Sequence, residues 1–161
     1  DLMEGETYEV QQLAAEQVQN GADILNINVE LPGTDEVKLM KTVVEFVGSR
    51  FNVPLCIDTS SPKALETTLR IYPGRALVNL ISAQEEKIGK FLPVAAKYGA
   101  MIILRPLDSK GIPEKTGQMC EIIEQVYNEV RKYGYEKDDI IFDNLEAESL
   151  SSKESEAKMR S

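Results

Sequence analysis

Six polar side chains stand where apolar runs of the sequence end: Asn26 and Asn28, then Asp58, Asn79, Arg105 and Asp143. A carboxylate accepts two parallel N–H bonds from an amidine-like edge, and a carboxamide donates and accepts at once. Gathered at one mouth, such a set suits a flat heterocycle whose edge alternates donors and acceptors. Each residue also has a plainer use. A strand-end Asp such as Asp58 or Asp143 serves equally as a helix N-cap or a turn former. Asn26 and Asn28 can bond the turn that follows them, and Arg105 can be an internal ion-pair partner. Asn79 is the most telling, because a carboxamide inside the apolar run VNLI costs roughly 1–3 kcal/mol unless it finds a partner. Asp108 reads as a loop residue, and Glu85, Glu86, Lys87 and Lys90 as a solvated face.

The chain has no histidine. That removes His-based triads, His-ligated zinc and the usual general base together. The two cysteines, Cys56 and Cys120, are far apart and lack a CxxC partner, so they read as reduced, buried structural thiols, and no metal site is expected. The residue types single out no catalytic acid or base.

The elements that must position these groups follow from periodicity. Val10, Leu13, Ala14 and Val18 space a helix over residues 6–20, stopped by Asn20-Gly21. A strand from Gly21 to Val29 places Asn26 and Asn28 on one face by the period-two rule. Thr34 is a candidate cap for a second helix with Val37, Met40, Val44 and Val47 inward, ending near Gly48. Val53–Asp58 is the next strand, and Ser61-Pro62 opens a helix with Pro at its first position. Ala76–Ile81 is a third strand, followed by a capping box of Ser82 and Glu85 and a helix with Ile88, Phe91, Leu92 and Ala95 inward. Gly99 ends it. An apolar strand starts at Ala100, the loop LDSKGIP follows, and Met119, Ile122, Ile123, Val126 and Val130 line a long helix closed by Gly134. Asp139–Asp143 is the fifth strand.

Five near-continuous apolar strands alternating with helices define an α/β fold with a parallel sheet, apolar on both faces as if helices covered each. No GxGxxG or Walker loop follows any strand, which leans toward a barrel rather than a doubly wound sheet. Residues 1–143 form the candidate domain, and the polar stretch 144–161 reads as a loop or tail. At 161 residues and 42% hydrophobic, the chain can bury one core and is expected to be globular and soluble. Its formal charge of −9, with basic residues dispersed, argues against nucleic acid as a partner. No run reaches the roughly 18–20 apolar residues of a membrane span, and DLMEGETYEV lacks a signal-peptide pattern, so the cytoplasm is the expected location.

The ordered segments GADILNINV, VPLCIDTSSPKALETTLR, YPGRALVNLIS, YGAMIILRPLDSKGIP and DIIFD resemble the pterin-binding barrel family. That family includes methyltetrahydrofolate:corrinoid methyltransferases, the folate domain of cobalamin-dependent methionine synthase and, more distantly, dihydropteroate synthase. The resemblance covers about residue 8 to residue 143. It implies an incomplete parallel (β/α) TIM-type barrel of about five βα units, matching the second to sixth strands. It further implies that Asp58, Asn79 and Asp143 hold the pterin ring, Asp143 at its 2-amino and N3 edge, with Asn26, Asn28 and Arg105 at the same mouth. Methyltetrahydrofolate would be the substrate, and cobalamin would be supplied by a corrinoid protein or domain, since no DxHxxG motif exists without histidine. GIP after the fourth of these strands and NVELPGTDE in place of a GGxST-type loop rank methyl transfer above dihydropteroate synthase-type condensation. Asn26 stands where the family usually has an acid, Glu30 where Gly is usual, and Asn144 where Pro commonly follows the last Asp. The competing expectation is a non-catalytic barrel fragment with a binding or assembly role, whose two open sheet edges would favour a homodimer.

Overall fold

A computed structural model describes residues 2–80, 85–105 and 116–143. Helices and strands alternate along the chain: α1 (Leu2–Gln19), β1 (Leu25–Asn28), α2 (Glu36–Arg50), β2 (Leu55–Asp58), α3 (Pro62–Ile71), β3 (Leu77–Leu80), α4 (Glu85–Lys97), β4 (Met101–Leu104), α5 (Thr116–Arg131) and β5 (Ile140–Phe142). A 3₁₀ turn, Lys137–Asp139, leads into β5. The Ser82–Glu85 capping box, the LDSKGIP loop with Asp108, and the 144–161 segment lie outside the described residues.

All four described strand pairings are parallel, in the order β1-β2-β3-β4-β5. Each crossover therefore steps in the same direction. Because such crossovers are right-handed, every connecting helix falls on the same face of the sheet, as in a barrel wall. A doubly wound sheet would reverse its strand order and place helices on both faces.

The helix-covered face is the core. Leu25, Ile27, Leu55, Ile57, Val78, Ile102 and Leu104 point from the strands into it. They meet Met40, Val44 and Val47 of α2, Leu65 and Leu69 of α3, Leu92 and Ala95 of α4, and Val126 and Val130 of α5. Full burial of a Leu or Ile side chain is worth about 1.5–3 kcal/mol, so this layer dominates the stability of the sheet. Among the described residues helices cover only this face, not both as the strand sequences suggested. On the other face Cys56 and Leu77 are buried, but Asn26, Asn28, Asp58, Asn79 and Asp143 retain exposure. The apolar strand sequences reflect the concave inside of a barrel wall rather than a second helical layer.

Helix ends follow the expected chemistry with one shift. Ser61 caps α3, its side chain accepting from the Ala64 N–H at 3.2 Å, with Pro62 in the first turn. At Gly99, with φ +64, the Ala100 N–H bonds Ala95 O and the Gly99 N–H bonds Ala96 O, both at 3.0 Å, closing α4 with a left-handed residue that glycine adopts freely. For α2 the cap is Asp35, which accepts from the Lys38 N–H at 3.2 Å. Thr34 instead turns its hydroxyl back to Leu31 O at 2.7 Å. The strands are shorter than their apolar runs: Gly21–Ile24, Val53-Pro54, Ala76 and Ala100 serve as entries, although Pro54 O and Ala76 O already accept from the neighbouring strands' Leu25 and Met101 N–H groups. Conversely, α1 begins before residue 6, and α2 runs past Gly48 to Arg50.

Two expected core residues are exposed. Leu13 is 58% exposed because α1 flanks the edge strand β1, so only its Val10, Ala14 and Val18 side meets the core. Cys120 is exposed on α5, whereas Cys56 is buried as expected. Cys120 falls off the Val126 and Val130 stripe that faces the sheet.

Candidate functional site

The register puts the polar residues at the carboxyl ends of adjacent strands. Asn28 pairs with Asp58 across β1 and β2, and Ile57 pairs with Val78, so Asp58 and Asn79 stand level on neighbouring strands. Paired residues in a parallel ladder point to the same face. Asp58 Oδ2 accepts from Asn26 Nδ2 and from Asn79 Nδ2, each at 3.3 Å. Both distances are at the long end for N–H to oxygen bonds, so the amides are held loosely enough to turn toward a ligand. One carboxylate thus gathers groups from three strands, and its second oxygen and both amide carbonyls remain as acceptors.

A second pair stands at the end of β4 and β5. The ladder continues one step beyond β5, with the Asp143 N–H donating to Leu104 O at 2.9 Å, which brings Asp143 beside Arg105. Arg105 Nε donates to Asp143 Oδ2 at 2.6 Å, a short charge-assisted bond between half-buried partners. The two together offer acceptors and donors side by side.

Of the six sequence-derived residues, Asn26, Asp58 and Asn79 form one cluster, and Arg105 and Asp143 form another. Asn28 takes its plainer role: its Oδ1 accepts from the Glu30 N–H at 3.0 Å and shapes the turn after β1. One level below Asp58, Cys56 is 3% exposed, and its thiol is pushed up to about 12 by burial and, second, by the Asp58 charge. A thiol so protonated at neutral pH is packing, not a nucleophile.

The sequence reading missed the connections that brace Asp58. Thr59 Oγ1 donates to Glu36 Oε1, and Ser60 Oγ donates to Glu30 Oε1 at 3.0 Å. Thr59 Oγ1 also accepts from the Ser61 N–H at 3.1 Å. The available signal was the hydroxyl run Thr59-Ser60-Ser61 directly after Asp58, facing Glu30 in the preceding connection and Glu36 at the start of α2.

A groove of about 750 Å³ between α1 and α2 is lined largely by Val10, Leu13, Val29, Leu31, Leu39 and Val43. It meets the strand ends only along Asn28, Val29 and Glu30 at the exit of β1, away from Asp58, Asn79, Arg105 and Asp143, so the hydrogen-bonding chemistry lies on the open strand-end face instead. Among the described residues no group of three or more acids or thiols is placed to hold a metal ion, and no helix is long and apolar enough to cross a membrane.

A one-directional parallel sheet with helices on one face and polar groups at its carboxyl edge defines a βα-barrel enzyme class whose ligands bind at that edge. Solved structures share the architecture. Dihydropteroate synthase from Yersinia pestis, solved with a pterine-sulfa conjugate, matches with TM-score 0.70 and 21% identity over 95% of this chain and 64% of that one. The enzyme from Vibrio fischeri matches with TM-score 0.68 and 20% identity over 86% and 56%. That from Thermus thermophilus gives 0.65 and 22% over 81% and 51%. The chain therefore spans somewhat over half the length of these structures. The family model for pterin binding enzymes matches residues 2–160, and the chain belongs to that family.

Proposed function

We propose that this chain binds methyltetrahydrofolate at the strand-end site and presents its N5-methyl group to a Co(I) corrinoid carried by a partner protein or domain, in the cytoplasm. The observation that carries the reading is the Asp58 carboxylate accepting amides from both flanking strands, with the Arg105–Asp143 pair at the next edge of the same mouth. Asp143 would accept the 2-amino and N3 protons of the pterin, while Arg105 donates to an adjacent acceptor. Asn79 and Asp58, with Asn26, would meet the remaining ring nitrogens, and Asn28 would shape the rim.

Methyl transfer to Co(I) breaks the N5–C bond and leaves its electron pair on N5, which must gain a proton. Because a tertiary amine leaves poorly, the protein's contribution would be to orient the ring, exclude water and favour that protonation. No histidine in this chain can ligate the corrinoid, which is why the reading gives it to a partner.

Calorimetric titration with methyltetrahydrofolate tests the reading. One-to-one saturable binding is expected in the wild type. Asp143→Ala and Asn79→Ala should each weaken it, Asp143→Ala by roughly 10- to 100-fold, as loss of hydrogen bonds to a charged group implies. Unchanged binding in both folded variants would remove the site. Conversion of a corrinoid protein in the presence of the pterin would then establish the transfer. The second reading, pterin-pyrophosphate condensation, draws support from the fold neighbours named above, each a dihydropteroate synthase; pyrophosphate release without a corrinoid would favour it.

A further inference from the structure

We infer that Glu36 is a positioning residue for Asp58, acting through Thr59; the inference rests on the pterin-site reading and adds to it a residue outside the ligand's reach. Asp58 is the last residue of β2, and its direction depends on how the chain leaves the strand. Thr59 is the first residue out. Its hydroxyl is used twice, donating to Glu36 Oε1 and accepting the Ser61 N–H at 3.1 Å. Ser61 in turn caps α3 through the Ala64 N–H. One carboxylate thus fixes the hydroxyl that fixes the turn, on either side of which stand Asp58 and the start of α3.

Glu36 is itself held. It occupies the first position of α2, whose cap Asp35 is bonded to the Lys38 N–H, and Met40, Val44 and Val47 anchor the helix in the core. An anion at a helix N-terminus is also favoured by the helix dipole. The link from a rigid helix to a strand-end carboxylate is therefore continuous: α2, Glu36, Thr59, Asp58. The parallel bond from Ser60 to Glu30 joins the same two connections, but Glu30 lies in the connection between β1 and α2 rather than in a helix and is the weaker brace. Supporting groups of this kind decide whether a binding residue is held in its productive direction.

The test measures amide hydrogen exchange at Ser61 and methyltetrahydrofolate affinity in the full chain, for the wild type, Glu36→Ala, Glu36→Gln, Thr59→Val and the double variant Glu36→Ala/Thr59→Val. Glu36 is not a partner of the Ser61 N–H. A fall in Ser61 protection in Glu36→Ala therefore reports transmission through Thr59. The expected result is that fall, with affinity about tenfold weaker, the scale of one lost bond to a charged group. Glu36→Gln, which keeps an acceptor oxygen, should restore both, and the double variant should bind no more weakly than the worse single. Unchanged Ser61 protection in Glu36→Ala overturns the inference, as does a fall in protection with affinity unchanged. Losses that add in the double variant do so too. A wild type that fails to bind, with Ser61 protection still falling in Glu36→Ala, would instead identify the pterin reading as the part that failed and leave the bracing of the Asp58 turn by Glu36 standing.

Discussion

The two ends of the sheet are built from the same residue types to opposite purposes. At the amino end, side chains spend their hydrogen bonds on the backbone and on each other. Arg75, just before β3, donates to Gly99 O at 2.8 Å and to Asp139 at 2.5 Å, tying the entries of β3, β4 and β5 together. Tyr72 Oη accepts from the Leu55 N–H at 3.1 Å and does the same for β2. Asp139 also accepts the Glu136 N–H at 2.9 Å. At the carboxyl end the Asp58 bonds are long and leave acceptors over. Acceptors left over around Asp58 suit a ligand, whereas the bonds of Arg75, Tyr72 and Asp139 are staples; the buried Tyr135 hydroxyl at the amino end is the exception, with no hydrogen-bond partner among the described residues.

The sharpest way to break this contrast is Asp58→Ala. It should weaken methyltetrahydrofolate binding by roughly 10- to 100-fold and leave the unfolding midpoint close to wild type, because the amides it frees are partly exposed to water. A comparable loss of stability would show that Asp58 is itself a staple. Arg75→Ala is the converse: its thermal midpoint should fall by a few degrees while the affinity stays within about twofold. Loss of affinity there would mean that the ends are coupled.

Acid titration sharpens the comparison further. The Glu136 N–H first, and Arg75 second, hold the Asp139 carboxyl below its ordinary value of 3.8. Its stabilisation is therefore complete above that value and is lost as the pH falls through the lowered, folded one. Asp139→Asn should lower the midpoint at neutral pH and flatten its decline across that acid window, as read by circular dichroism. The smallest effect concerns thiols. A disulfide reagent at pH 8 should label Cys120 in the folded protein and reach Cys56, raised to about 12, only after unfolding.

Much of this arrangement can be read along the chain. The alternation of apolar strands with helices located every described α-helix and strand, though not the 3₁₀ turn Lys137–Asp139, and the ends of those strands located Asp58, Asn79 and Asp143. Such features are local, set by periodicity and by caps such as Ser61-Pro62. The pairing of Arg105 with Asp143 depends on how β4 and β5 are aligned, and residues 38 apart in sequence carry no local signal of it. The exposure of Leu13 likewise depends on which helix stands at the sheet edge. The Glu36–Thr59 bond joins the start of α2 to the connection after β2 and becomes visible only once β1 and β2 are side by side. Thr34, by contrast, was a local ambiguity between adjacent cap-forming residues, resolved in favour of Asp35.

The one-directional strand order also has a consequence for synthesis. Because each strand is added beside the last, a ribosome delivers the sheet in its final order, and no strand must be inserted between two already paired. The Asn26–Asp58–Asn79 cluster can assemble once β3 has emerged, while Asp143 is still to be translated. On the proposed reading, a pterin that engages the first cluster stabilises the growing chain by mass action before its second anchor exists.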